Sequence, residues 1–133
     1  MIHTNELMLG NWVEYATGLN GEKRSIPMQV TGIFSDTVYL NFEGNEGDVW
    51  EEKEENLLGI PITEELLEKC GFHYKKMRGI RGTTYTNEYS MAVVFDGTVS
   101  LCSPFGFIDC IEFLHELQNA YFMLTKKHLE VCL

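Results

Sequence analysis

Ile111, Leu114, Leu117, Tyr121 and Leu124 recur at steps of three and four residues, and Phe113 and Ala120 widen the same stripe. That period is the mark of an amphipathic helix. Asp109 stands where an N-cap would, and Glu112 lies three residues on, in the reciprocal position of a capping box. The spacing predicts a helix over 109–124. A stripe so wide and so aromatic has to be buried, and the rest of the chain must supply the surface that covers it.

Residues 11–60 offer strands. Asn11-Trp12-Val13-Glu14-Tyr15-Ala16 alternates large apolar and polar residues, and Thr17–Glu22 has loop composition. A second strand runs from Ile26 to Phe34, with Met28, Val30 and Ile33 on one side and Pro27 favouring an edge position at its start. Ser35-Asp36 reverses the chain into Thr37–Phe42, where Val38, Leu40 and Phe42 share a face. Glu43–Asp48 is the next turn, followed by Val49-Trp50-Glu51-Glu52 and a short helical turn around Glu54 to Leu58. Four or five short antiparallel strands in so few residues suggest a small SH3-like barrel, since rolling a sheet shut hides its edges.

Gly59-Ile60-Pro61-Ile62-Thr63 marks a boundary. Thr63 is a good N-cap, Glu64 and Glu65 suit the helix dipole, and Ile62 is placed to staple onto Leu67. Gly71 fits a left-handed position past the helix end, with Phe72 folding back on Leu67. The basic stretch 75–82 lacks the order of a phosphate-binding loop and reads as a solvated hairpin tip. Strands follow at Thr83–Thr86, Tyr89–Phe95 and Thr98–Cys102, with Asp96-Gly97 as a hairpin turn. Ser103-Pro104-Phe105-Gly106 breaks the last of them, and Phe107-Ile108 leads into the helix. The expected fold is α+β: an SH3-like part over 1–60 and a helix, three-stranded meander and helix over 61–133, packed as one unit.

Composition narrows the function classes. Ten Lys and Arg oppose twenty Asp and Glu, for a formal charge of −10. That balance disfavours nucleic acid, whose binding is driven by cations that displace counterions from phosphates. Between Glu43 and Glu68 ten acids face Lys53 alone, a pattern most often belonging to a solvated face. No apolar run is long enough to span a bilayer, and residues 1–6 lack the features of a signal peptide, so a cytoplasmic location without membrane association is expected. Cys70, Cys102, Cys110 and Cys132 show no metal-ligand spacing and are expected to stay reduced as small buried groups. No metal or cofactor is expected.

Chemistry is sparse. His3 falls in a segment expected to fray, His73 follows a helix end and His128 lies beyond the last helix. His115 sits beside the main stripe, with Glu112, Glu116 and Gln118-Asn119 near it, as a base oriented by a carboxylate would. A histidine on a helix surface with ordinary polar neighbours looks the same. Trp12, Tyr15, Tyr39 and Trp50 form a candidate aromatic binding surface if they do not pack the barrel, and Arg78 and Arg81 are its basic counterpart.

Three blocks carry a family resemblance. Glu6–Val13 resembles the "ELRIGNWV" opening of small uncharacterised proteins of Bacteroides-type bacteria and their phages. Ile60–Phe72 is similar to their "PIPLTEEWLLKFGF" block, and Leu114–Thr125 to their "LHQLQNLYFALTGEEL" ending. Ala120 and Met123 depart from the last block, as does Lys126, where glycine is usual; lysine there is expected to extend the helix toward Leu129. The resemblance implies a bacterial or phage source and assigns no activity. It places His115, Gln118, Asn119 and Tyr121 in the family's most recognisable block.

The leading expectation is a non-catalytic accessory protein acting through protein contacts on its acidic or aromatic surfaces, with self-association left open. The alternatives are a nucleic-acid binder using the barrel aromatics with loop 75–81, and a small hydrolase or transferase with His115 as base.

Overall fold

Alternating segments separated by turn residues favour antiparallel hairpins, because each strand buries one face and needs a neighbour for its backbone groups. The computed structural model describes residues 1–19, 22–42 and 50–133, with the side chains of 1–15, 26–41 and 50–133. Asn20, Gly21, the turn Glu43–Asp48, Val49 and the Phe42 side chain lie outside this description. Among the described residues an α+β chain, mostly β, falls into two compact units, Met1–Ile60 and Pro61–Leu133.

Met1–Ile60 holds β1 (Trp12–Leu19), β2 (Glu22–Ile33), β3 (Thr37–Phe42), β4 (Trp50–Lys53) and β5 (Leu57–Leu58) in a sheet of order β4-β3-β2-β1-β5. Thr17 and Gly18, expected in a loop, pair with Arg24 and Lys23, so the first hairpin is longer than its composition suggests. Only the 3-10 turn Glu54–Asn56 joins β4 to β5, yet the two strands occupy opposite edges. In a flat sheet those edges would be ~19 Å apart, further than the ~14 Å that four extended residues reach. The sheet is therefore rolled.

Inside the roll, Val13, Met28, Val30, Val38, Leu40 and Leu57 form a buried cluster with Ile2 and Leu7. Met28 and Val30 alternate as a strand should, and a register shift between Val30 and Gly32 brings Ile33 back to the same side. Gly32 leaves room for Tyr39, whose ring carbon would lie 2.9 Å from an added Cβ. Pro27 pairs with Glu14 on β1, and among the described residues the β2–β3 pairing begins at Met28. The start of the chain is not frayed. Ile2 is buried, the Thr4 amide donates to Glu54 Oε2 at 2.9 Å, and His3 Nδ1 lies 4.0 Å from Glu54 Oε1.

In Pro61–Leu133, α1 (Glu64–Lys69) forms as its punctuation dictates. Thr63 Oγ1 accepts the Leu66 amide at 3.1 Å. Gly71 takes φ +85°, and the Phe72 and Gly71 amides donate to the Leu67 and Glu68 carbonyls, each at 3.0 Å. A five-stranded meander follows: β6 (His73–Tyr74), β7 (Thr83–Thr86), β8 (Met91–Phe95), β9 (Thr98–Ser103) and β10 (Gly106–Ile111). Asp96 and Gly97 both have positive φ, as the tight turn between Phe95 and Thr98 requires.

The meander has five strands where the sequence suggested three, and the long helix starts later than expected. Ser103 pairs with Gly106, so the expected break at 103–106 is a hairpin, and Phe107 to Ile111 runs back along β9. Asp109 caps no helix. Its Oδ1 accepts hydrogen bonds from the Ser100 hydroxyl across the strands and from the Cys110 amide. α2 spans Leu114–Thr125, and Glu116 rather than Glu112 reaches back, accepting the Phe113 amide at 3.2 Å. Leu114, Leu117, Ala120 and Tyr121 form the buried stripe, and α2 packs on β9 and β10. The helix also ends earlier than the Lys126 substitution implied, because Lys126 turns left-handed at φ 61°.

Candidate functional site

Rolling the sheet brings β4 toward β1, and the side chains along that seam make the best-defined polar and aromatic group in Met1–Ile60. Trp50 pairs with Leu40 and Glu52 with Val38, and these two β3 residues face the core. Residues two apart on a strand share a face, so Trp50 and Glu52 both sit on the inner side of the sheet at its margin. Tyr15, two residues beyond the buried Val13, reaches the same margin from β1. The Tyr15 and Trp50 ring centroids are 5.8 Å apart with planes tilted by 49°. Two strands separate β1 from β4 in the sheet, so this contact exists only because the sheet rolls.

Glu52 is held from several sides. Trp50 Nε1 donates to Oε2 at 3.1 Å, while Asn56 Nδ2 and the Lys53 amide donate to Oε1 at 2.6 and 3.2 Å. Burial alone would raise its carboxyl, but the bonds from Asn56, Trp50, Lys53 and Tyr15 together hold it below the ordinary carboxylate value. Glu52 is therefore a fixed anion at neutral pH. A cavity of about 420 Å³ lies against it, lined by Thr37, Glu51, Glu52, Lys53 and Asn56. Trp50 is 43% exposed. The seam thus offers an aromatic pair beside an oriented carboxylate, a chemistry suited to cations carried on apolar stems.

The four aromatics singled out from sequence do not form one surface. Trp12 is buried, Tyr15 and Trp50 share the seam, and Tyr39 packs edge-on against Phe34 at 5.0 Å. Glu52 and Asn56 escaped the sequence reading because Glu52 is one acid in a long acidic run. The signal that would have found it is the Trp-x-Glu spacing, combined with a link to β5 too short for a flat sheet.

Arg78 and Arg81 are exposed in the loop joining β6 to β7. They belong to Pro61–Leu133, whereas the aromatics belong to Met1–Ile60. His115 is not on a helix surface: it is 1% exposed and stacks against Phe113 with ring centroids 6.0 Å apart. Asn119 is half-buried on the same helix. Of the cysteines, only Cys70 is buried, while Cys110 and Cys132 are exposed, and none is in a disulfide.

A second cavity, about 530 Å³, lies within Pro61–Leu133 between the end of α1, the β7–β8 turn, α2 and the residues after it. Asn87 Nδ2 donates to the Tyr121 hydroxyl at 3.3 Å, and Asn87 Oδ1 accepts the Tyr89 and Ser90 amides. Lys127 Nζ sits 4.6 Å from the Tyr89 ring centroid, and His128 stacks on Phe122 at 4.8 Å. Cys70 lies in the wall, its thiol pushed up to about 12 by burial and by nearby Cys132.

Among the described residues, no cluster of three or more His, Cys, Asp and Glu side chains is placed to hold a metal ion, and no helix is long and apolar enough to cross a membrane. Compared with protein-family models, curated proteins and solved structures, the chain matches none.

Proposed function

We propose that this is a non-catalytic accessory protein, that Met1–Ile60 is an SH3-like barrel, and that its seam docks a basic segment of a partner protein. The observation that carries the reading is the exposed Trp50 packed on Tyr15 beside Glu52, an anion oriented by Trp50 and Asn56. Lys and Arg stems would lie along the two rings, and a charged end would meet Glu52. The meander-plus-3-10 order of β1 to β5 supports the SH3-like assignment. The sequence resemblance supports a bacterial or phage source and a cytoplasmic setting. His115, at 1% exposure, gives the hydrolase reading no accessible base, and the charge of −10 weighs against nucleic acid.

The test is binding of a labelled Arg- and Lys-rich peptide at low salt, followed by fluorescence anisotropy. Trp50→Ala and Glu52→Gln should each weaken binding about tenfold, the loss of roughly 1.4 kcal/mol expected of an interface anchor. Glu88→Gln, a charge change in the other unit, should leave it unaltered. Equal weakening by all three variants would mean diffuse electrostatic attraction and would end the proposal.

A further inference from the structure

The backbone brings the Cys132 segment up to Cys70, which lies in the wall of the second cavity. After α2 the chain returns to α1: Leu129 is buried, and the Cys132 amide donates to the Lys69 carbonyl at 3.1 Å. With ordinary peptide geometry on either side of that hydrogen bond, the Cα atoms of Cys70 and Cys132 are at most about 7.4 Å apart. A disulfide needs a Cα separation of roughly 4.4–6.8 Å, so a small adjustment of the chain end closes the gap. The two thiols differ in setting. Cys132 is exposed, whereas Cys70 is buried in the cavity wall, so one is open to oxidants and the other is sheltered. Cys102 and Cys110 lie on β9 and β10.

We propose that Cys70 and Cys132 form a reversible disulfide that fastens residues 126–133 against the end of α1, locking Lys127, His128, Leu129 and Glu130 into the cavity wall. The oxidant is a low-molecular-weight disulfide such as oxidised glutathione. The Cys132 thiolate attacks one of its sulfurs, giving a mixed disulfide and releasing one glutathione thiolate. Cys70 loses its proton to a solvent base and attacks the Cys132 sulfur, and the second glutathione leaves as a thiolate that takes up a proton. Two protein thiols become one disulfide, and one glutathione disulfide becomes two thiols. Because the Cys70 thiol holds its proton tightly, the second step is the slow one.

The full chain, equilibrated over a series of glutathione redox ratios, quenched and cut with trypsin, reads the bond directly. Cleavage after Lys69, Lys75 and Lys127 frees peptides 70–75 and 128–133. The proposal expects them joined under oxidising ratios, lighter by two hydrogens than their sum, and separated by a reducing agent. The Cys102→Ser/Cys110→Ser double variant should behave identically, and Cys132→Ser, an exposed change, should abolish the joined species. The oxidised wild type should melt several degrees above the reduced form, a difference absent in Cys132→Ser. A glutathione adduct that persists on Cys132 while Cys70 stays a thiol would overturn the proposal. So would loss of the 70–132 link in the double variant.

Discussion

Met1–Ile60 and Pro61–Leu133 each carry a five-stranded antiparallel sheet, and they treat its edges differently. In the first unit a three-residue 3-10 turn sets β5 against β1, and the sheet rolls. In the second the meander stays open. β6 has only two residues, and β10 is irregular between Ile108 and Ile111, where Cys110 turns left-handed at φ 58°. α2 covers the buried face along β9 and β10. The difference teaches where each unit can present chemistry. A rolled sheet leaves side chains at its seam, here Tyr15, Trp50 and Glu52. An open sheet under helices leaves a gap beside the helix ends, here the cavity walled by Cys70 and Tyr121.

The comparison is broken most forcefully by truncating one core residue from each unit. Leu57 and Leu117 are both fully buried, so Leu57→Ala and Leu117→Ala should each cost about 3 kcal/mol by loss of burial plus a cavity. Both tryptophans lie in Met1–Ile60. Urea melts followed by tryptophan fluorescence should therefore register Leu57→Ala, and far-UV circular dichroism should register both. A single transition, shifted alike by both variants with either probe, would show the units unfolding as one.

Alkali acts on the second unit through Cys70. The Cys70 thiol is raised from 9.0 to about 12 in the folded chain, so folding favours its protonated form. Its stabilising contribution is complete below pH 9 and is lost as pH rises toward 12, by at most about 1.4 kcal/mol per pH unit. Urea midpoints measured between pH 8 and 11 should fall for the wild type and flatten in Cys70→Ala.

Thr63→Ala removes the hydroxyl that accepts the Leu66 amide and should cost about 1 kcal/mol. Lys126→Gly should do the reverse and stabilise by roughly 0.5–1 kcal/mol, because glycine adopts the left-handed φ without strain. Denaturant melts check both, and a destabilised Lys126→Gly would mean that the lysine stem contributes packing.

How much of this was legible follows from which interactions are local. α1 could be read from Thr63, Gly71 and Phe72, because a cap and a left-handed stop act within a few residues of one another. The turn at Asp96-Gly97 was legible for the same reason. The start of α2 was misread because Asp109, Glu112 and Ile111 satisfy helix spacing while pairing across the sheet decides otherwise. Ile111 is buried as a strand residue beside Val99. The seam was half legible. Tyr15 and Trp50 stood out as aromatics, but their contact depends on a roll set by chain connectivity, and Glu52 could not be told from its acidic neighbours. The approach of Cys132 to Cys70 comes from tertiary folding after α2 and leaves no mark on sequence spacing.

The central claim is that the rolled unit binds a basic partner at its seam. Its most direct measurement is an NMR titration of the isotope-labelled chain with a short Arg- and Lys-rich peptide. The account predicts saturable shifts concentrated on the Trp50 indole N–H, the Asn56 side-chain amide and the backbone of Tyr15 and Glu52. Shifts confined to Pro61–Leu133, or none at peptide excess, would contradict it.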